Sequence, residues 1–437
     1  MSKRLHLISL GCNKNLVDSE VMLGKLKDYK IVNEPKDADV IIVNTCGFIE
    51  AAKAESINAI LEAHNQRKKD SLLVVSGCLS QRYKDELIKE LPEVDIFTGV
   101  GDYDRIDELI SLKKSSFSPQ VYLSSENSPR IITNSNYHAY IKLSEGCNQT
   151  CSFCAIPTFK GKLKSRTIDS IITEVCSLIE KGFKDFSFIS QDSSSFGRDL
   201  GLKDALIDLI KQVELMPGIK SARILYLYPT TTSFELIDAI SESPIFQNYF
   251  DIPIQHISNK MLKIMKRGLN REKTIKLLEY MKSKPNSFIR TAVIAGHPGE
   301  DERDFWELKE FLEEFEFDRV SVFEYSNEEN TTAFNMKQLE PKIISQRASI
   351  LGEVAKESMQ KSLDKMVNKE IELIIEGVSK EHELLLSARD KRWAFEIDGE
   401  ILINDSNGFD VKSGDYFRAK VTQIADSYPI ATLLKKV

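Results

Sequence analysis

Seven cysteines are the residues of this chain most suited to metal and sulfur chemistry, and three of them share one short stretch, Cys147-Asn-Gln-Thr-Cys151-Ser-Phe-Cys154. Spacing of this C-x3-C-x2-C kind lets a single loop wrap a cube of iron and sulfide. Three thiolates on four irons leave one iron open to a small molecule. The competing readings of the spacing alone are a zinc loop or an unrelated redox cluster. A second set, Cys12, Cys46 and Cys78, is spread through the first fifth of the chain, each member directly after a short apolar run: LHLISLGC, DVIIVNTC and LLVVSGC. Runs of this length and content are buried parallel strands. The ends of such strands share one edge of an open α/β sheet, so three distant cysteines can converge there on a second cluster. Three small buried hydrophobes are the alternative, because free Cys packs well in cores. Cys176, inside IITEVCSLI, is expected to be core only.

The elements that must position these residues fall into three units. Residues 1–135 read as a doubly wound α/β domain, with helical patterns such as VDSEVMLGKLKD and ESINAILEAHNQRKK between the strands. A Ser-rich stretch from Ser111 to Asn136 reads as the linker out of it. Residues 136–366 alternate strands and helices from HAYIKLSEGC to RVSVFEYS, which implies a complete or partial β/α barrel with ligand sites at the C-terminal ends of its strands. A charged helix near Ser345 to Asn368 closes that unit. Residues 367–437 hold five strand-like runs, EIELIIEG, HELLLSAR, RWAFEIDGEILIN, YFRAKVTQI and IATLLKKV, and predict a small antiparallel β-barrel.

Composition narrows the function classes. The 437 residues are 42% hydrophobic and 29% charged, a globular profile. A net charge of -7 argues against sequence-independent attraction to nucleic acid. From Glu370 to Val437 nine Lys and Arg face thirteen Asp and Glu, so the small barrel suits a basic protein partner better than RNA, with Arg389, Lys391 and Arg392 as a local patch still able to touch RNA. The opening MSKRLHLISLGC fails as a signal peptide, and no apolar stretch approaches the roughly 18 residues of a membrane span. The expected location is the cytoplasm, where clustered Cys is more often metal-binding than disulfide-bonded.

The motifs around the cysteines resemble the methylthiotransferase family of the radical S-adenosylmethionine superfamily over nearly the whole chain. LISLGCNKNLVDSE, DVIIVNTCGFIEAAKAESI and AIPTFKGKLKSR look like the branch of that family acting on ribosomal protein uS12, whereas tRNA-modifying relatives typically carry a Gln-Met-Asn type opening after the first glycine-cysteine. The resemblance implies two 4Fe-4S clusters, S-adenosyl-L-methionine as cofactor, and a TRAM-type C-terminal barrel. It implies that a β-carbon hydrogen of an aspartate in uS12 is replaced by a methylthio group in two cofactor-dependent steps. Cys147, Cys151 and Cys154 would hold the radical-generating cluster, and Cys12, Cys46 and Cys78 the sulfur-delivering one. A sulfur source and a low-potential electron donor are further implied partners, and no membrane.

Around the first cluster, Gln191 and Asp192 end a strand in FISQD and are placed to receive the ammonium of the bound methionine, although Asp after a strand is also a common helix cap. Arg166 in KSR either pairs with the methionine carboxylate, for which its fork is suited, or is a surface charge. Gln255 resembles the family's PIQ segment facing the cofactor, and His256 is equally readable as structural. Gly296, Pro298 and Gly299 are expected to shape a tight turn near the adenosine. The chain departs from the family pattern at Asn13, Lys160, His297 and Asn330; the last takes a Gly position and predicts a turn at positive φ, which Asn tolerates. Two other functions fit the same residues: the same chemistry on a modified adenosine of tRNA, or a non-catalytic iron-sulfur electron-transfer protein.

Overall fold

Alternation within the apolar runs sets the first layer of the fold. In the run Val40–Val43, Val40 and Ile42 join a core with Leu5, Met22, Val74 and Ile96, while Ile41 and Val43 join another with Ile60, Leu73, Val75 and Leu79. A strand whose successive side chains enter different cores is covered on both faces. The structure is a computed structural model that describes residues 3–380 and 382–437. Its N-terminal sheet comprises β1 (Arg4–Ser9), β2 (Lys30–Ile31), β3 (Val40–Thr45), β4 (Leu72–Gly77) and β5 (Ile96–Phe97), all parallel, in the order β2-β1-β3-β4-β5. The helices are α1 (Asn13–Lys25), α2 (Glu50–Gln66), α3 (Cys78–Arg82), α4 (Lys84–Glu90) and α5 (Ile106–Leu112). The two-residue strands β2 and β5 escape the sequence because two residues show no period.

The Ser-rich stretch is no free tether. After α5 the chain runs as a strap over the N-terminal domain and stays bonded to it: Ser116 pairs with Thr98, and the Ser118 backbone N–H donates to buried Asp102. Further on, the Tyr122 N–H reaches the Val100 carbonyl and the Ile131 N–H reaches the Glu20 carbonyl. Arg130 then bridges Glu20 of α1 at 2.6 Å and Glu174 of the next domain at 2.9 Å.

The central domain holds β6 (His138–Lys142), the two-residue strands β7 (Ser144–Glu145) and β8 (Lys164–Ser165), then β9 (Asp185–Ile189), β10 (Ser221–Ile224), β11 (Phe246–Asp251), β12 (Phe288–Ala295) and β13 (Arg319–Glu324). Six of these form one parallel sheet in the order β13-β12-β11-β10-β9-β6, while β7 and β8 pair with each other. The sheet is open between β6 and β13 among the described residues, so the barrel is partial. Its helices are α6 (Ile156–Lys160), α7 (Ile168–Glu180), α8 (Ala205–Glu214), α9 (Phe234–Glu242), α10 (Asn259–Ile264), α11 (Arg271–Lys282), α12 (Glu302–Phe315) and α13 (Pro341–Asp364). On α7 the buried stripe is Ile171, Val175 and Leu178, spaced by four and three. That phase turns Cys176 to solvent, which corrects its expected place in the core.

The C-terminal unit is a closed barrel of β14 (Glu370–Val378), β15 (Leu386–Asp390), β16 (Ile401–Asp405), β17 (Tyr416–Ala425) and β18 (Tyr428–Lys436). Its pairings are antiparallel except β16 with β18, which run parallel. The run RWAFEIDGEILIN is a strand only from Ile401. The residues before it fold as turns that bury Trp393 against Phe288 and Arg319 of the central domain. Beside this plug a charged group joins the two domains: Asp185 takes Arg223 at 2.9 Å on one side and Arg389 of the barrel on the other, all three wholly buried. Arg389 therefore cannot touch RNA, and Lys391 and Arg392 are paired with Glu372 and Asp390, so the expected basic patch is not free. No helix among the described residues is long and apolar enough to cross a membrane.

Candidate active site

The antiparallel pair of β7 and β8, Ser144 with Ser165 and Glu145 with Lys164, closes the base of the Cys147–Cys154 loop directly beyond the central domain's first strand. Inside it the Cys147 N–H donates to the Gly161 carbonyl, Asn148 Oδ1 accepts the Leu163 N–H at 3.1 Å, and the Gln149 N–H points at Cys147 Sγ at 3.4 Å. The far side is propped by Ser152, whose N–H donates to the Met265 carbonyl and whose hydroxyl lies 3.0 Å from His297 Nε2. Phe153 sets its ring edge-on to His297. His297, the departure in AGHPGE, is thus a buried support behind the loop. Arg267 Nη1 donates to Cys151 Sγ at 3.1 Å, the Tyr228 hydroxyl is 3.4 Å from the same sulfur, and the guanidinium stacks 4.2 Å above the Tyr228 ring. Burial, with the charges of Asp192 and Cys151, holds the Cys147 thiol up at about 11, and burial with the charges of Cys151 and Cys147 holds Cys154 up at about 12. Three thiolates persist in such a place only around a strongly positive ligand.

The second triad forms where three strands of the N-terminal sheet end. Cys12 caps α1, Cys46 follows β3 and Cys78 opens α3. Gly11 and Gly77 precede two of them at φ +85° and +99°, and a Cβ on Gly11 would lie 2.9 Å from Cys46 Sγ. Only glycine lets these strand ends close so tightly. Asn15 sews the edge together, its side-chain amide donating to the Leu10 and Thr45 carbonyls at 2.8 and 3.1 Å. Burial and the charge of Cys12 raise Cys46 to about 11; Cys78 is raised by burial to about 12 despite the nearby Lys160 ammonium. Among the described residues no Cys, His, Asp or Glu group closes on a single metal-ion position. The six thiols form two looser triads.

A buried quartet of charges links the two units that carry the triads. Lys142 donates to both Asp18 and Glu145, and Lys160 stands 3.4 Å from Asp18 and 3.5 Å from Glu145. Asp18 belongs to α1 and the other three to the central domain, so the quartet joins the two units. Burial opposes ionisation of Glu145, yet Lys142 and Lys160 overcome it and hold the carboxyl down at about 2. Two positive and two negative groups cancel locally, which is how buried charge is tolerated.

The expected cofactor contacts divide in this setting. Gln191 donates its amide to Glu145 Oε2 at 2.8 Å and keeps its buried Oε1 unpartnered; the Gln255 Oε1 is likewise buried and unpartnered, on a backbone held at φ +72°. Two orphaned acceptors at strand ends beside a thiol triad fit an ammonium or a nucleoside N–H, so the donor set suits both a cluster and S-adenosylmethionine. Asp192 takes the cap reading: it accepts from the Ser194 and Ser195 hydroxyls and the Ser195 N–H, and also from Gln149 of the cysteine loop at 2.8 Å. Arg166 is neither a surface charge nor free for a carboxylate, because its donors go to Ser170, the Lys142 carbonyl and Glu174. His256 is structural, its Nδ1 accepting the Ile257 and Ser258 N–H groups at 2.9 and 3.0 Å, and burial drives it down to about 3. The Gly296 N–H donates to Glu300 at 2.8 Å, and the Pro298 carbonyl accepts from His297, which fixes the turn between them. Arg267, Tyr228 and the quartet escaped the sequence because each acquires its meaning from a partner far along the chain.

Both cysteine-bearing units resemble known families. The family model described as "Uncharacterized protein family UPF0004" matches residues 4–99, and that of the radical SAM superfamily matches residues 141–312. A protein of Sulfurovum sp. named ribosomal protein uS12 methylthiotransferase RimO is 64% identical over 99% of both chains. One of Aliarcobacter butzleri with the same name is 58% identical over 99% of this chain and 98% of its own. Among solved structures, the radical S-adenosylmethionine methyltransferase TsrM of Kitasatospora setae, with cobalamin and a [4Fe-4S] cluster bound, aligns with TM-score 0.55 at 15% identity, covering 76% of this chain and 74% of its own. That likeness is one of fold.

Proposed function

The chain belongs to the ribosomal protein uS12 methylthiotransferase family, and we propose how its residues divide that reaction, in which a β-carbon hydrogen of a uS12 aspartate gives way to a methylthio group. Residues 1–135 deliver sulfur, residues 136–366 generate the radical, and residues 367–437 help to seat the substrate protein. Bound 4Fe-4S clusters and S-adenosylmethionine supply the hydrogen-abstracting and sulfur-methylating chemistry. Cys147, Cys151 and Cys154 hold one cluster, with Arg267 donating to Cys151 Sγ. Cys12, Cys46 and Cys78 hold the other. Gln191 and Gln255 offer their free carbonyl oxygens to the cofactor's ammonium or adenosine. Asp192 acts at one remove, through Gln149, by holding the cysteine loop. The observation that carries this reading is two thiol triads, each placed beyond the ends of parallel strands, in two domains that one buried charge quartet joins. The partners it requires are uS12, a sulfur source and a low-potential electron donor, in the cytoplasm. Burial of Arg389 and pairing of Arg392 take two of the barrel's three arginines out of reach of a polyanion, which favours a protein substrate over tRNA.

The test is anaerobic reconstitution with iron and sulfide, followed by reductant, S-adenosylmethionine and uS12, with uS12 peptides read by mass spectrometry. A methylthio adduct on one aspartate is expected. Cys151→Ala abolishes deoxyadenosine formation, while Cys46→Ala keeps it and loses the adduct. Normal thiolation by the Cys46 variant overturns the division of labour, and sulfur appearing on tRNA instead overturns the substrate.

A further inference from the structure

One cation near the sulfur triad lacks the carboxylate that the other buried lysines have. Lys14 lies two residues after Cys12 on α1, half-buried, with its ammonium 3.3 Å from the centroid of the Tyr226 ring. Lys142 and Lys160 each lie within 4 Å of two carboxylates, whereas Lys14 has none within that distance among the described residues. Asp251 is near enough to feel its charge, but its oxygens are engaged: one accepts the Tyr226 N–H at 3.0 Å and the other faces Arg290 at 3.3 Å.

Tyr226 is itself held in an unusual state. It follows β10 at φ +62°, a left-handed conformation that a bulky residue adopts only when its surroundings impose it. Its N–H is fixed by Asp251, and its carbonyl accepts the Ser193 N–H from the loop that carries Gln191 and Asp192. The ring is thereby set at the C-terminal ends of the central strands, facing the Cys12 side of the N-terminal domain. A ring face solvates an ammonium without neutralising it. The cation stays available to an anion that arrives from outside.

We propose that Lys14 is a substrate-binding residue that takes the side-chain carboxylate of the aspartate to be modified, with the Tyr226 face holding the ammonium in place until the substrate enters. The inference rests on the functional reading above. A carboxylate clamped by Lys14 brings the adjacent β-carbon next to the Cys12, Cys46 and Cys78 triad, where sulfur must be delivered. It also sets specificity, since an amide or a neutral base at the same position cannot replace the carboxylate's charge.

The cluster-reconstituted enzyme and fluorescein-labelled uS12 test this by anisotropy, using uS12 with its target Asp and with that Asp changed to Asn. The wild type is expected to bind the Asp form about 10- to 100-fold more tightly, the range of a hydrogen bond to a charged group. Lys14→Met, a chain of similar length without charge, brings the two affinities to within about threefold, whereas Lys14→Arg keeps a clear preference for Asp. A wild type that binds both forms alike overturns the proposal, and that result stands even where Lys14→Met fails to fold. A Lys14→Met enzyme that retains the full Asp preference overturns it equally. Failure of the functional reading looks different: the wild type cleaves S-adenosylmethionine but leaves no methylthio group on uS12, whatever Lys14 does.

Discussion

Replacing Asp185 with Asn removes one buried negative charge while keeping its shape, and the consequence can be worked from the contacts. Asp185 meets Arg223 at 2.9 and 3.1 Å and also pairs with Arg389, which reaches Glu376 at 2.9 Å. Two guanidiniums and two carboxylates balance. His138, 4.0 Å away, adds no charge because burial drives it well below the usual range. With Asn in place the group carries an uncompensated positive charge, and breaking a buried pair in this way costs about 3–5 kcal/mol. Since Arg389 lies in the barrel and Asp185 in the central domain, much of that loss falls on docking. Trp393 reports it: it is buried in the junction, while Trp306, 44% exposed on α12, can be changed to Phe to leave one probe. In urea the Asp185→Asn transition should move down by at least roughly 1 M, given a slope of about 1–3 kcal/mol/M. Adding Arg389→Met should recover part of the loss, with a coupling above about 1 kcal/mol. A variant within about 1 kcal/mol of its parent, or strictly additive costs, would refute the idea that this triad fastens the barrel.

Two further outcomes follow from the site. Arg267 places positive charge on Cys151 Sγ, so Arg267→Met should make the cluster harder to reduce; each 1.4 kcal/mol of lost interaction lowers a one-electron potential by about 59 mV. An EPR-monitored redox titration that finds the potential unchanged counts against the contact, and Arg267→Lys should recover part of any drop. His256 is buried and neutral, its pKa lowered from 6.5 to about 3, so between those values the unfolded chain binds a proton that the folded chain refuses. Stability is then lost as pH falls from about 6.5 towards 3, by about 1.4 kcal/mol per unit for this group. His256→Asn, whose Oδ1 can stand in for Nδ1 as the acceptor of the Ile257 and Ser258 N–H groups, should flatten the acid side of the stability profile by that slope; an unaltered profile sinks the assignment.

The sequence exposed what local pattern controls. Runs such as VIIVNT announce a strand covered on both faces, and the cysteine after each run marks the edge where strands end. Asn330 was legible as a turn residue and does adopt φ +63°. Cys176 was misread because IITEVCSLI is apolar on more than one face, and the stripe that packs is settled by what α7 meets rather than by its composition. Arg389 read as surface because its partner Asp185 lies 204 residues away. Lys14 and Tyr226, or Lys160 and Asp18, have no local signature for the same reason: their chemistry is made by docking.

The strap of residues 113–137 bears on how such an enzyme can move. A flexible linker of that length would let one domain act as a swinging carrier, loading sulfur in one place and delivering it in another. Here the segment is bonded along its course and pinned by Arg130 to carboxylates of both domains. Any stroke of the N-terminal domain would have to break those buried pairs together with the Asp18 and Lys142 contact. The N-terminal domain is therefore held in one place against the central one, and under the proposed division of labour the travel in each turnover belongs to the substrate and the small molecules that enter and leave.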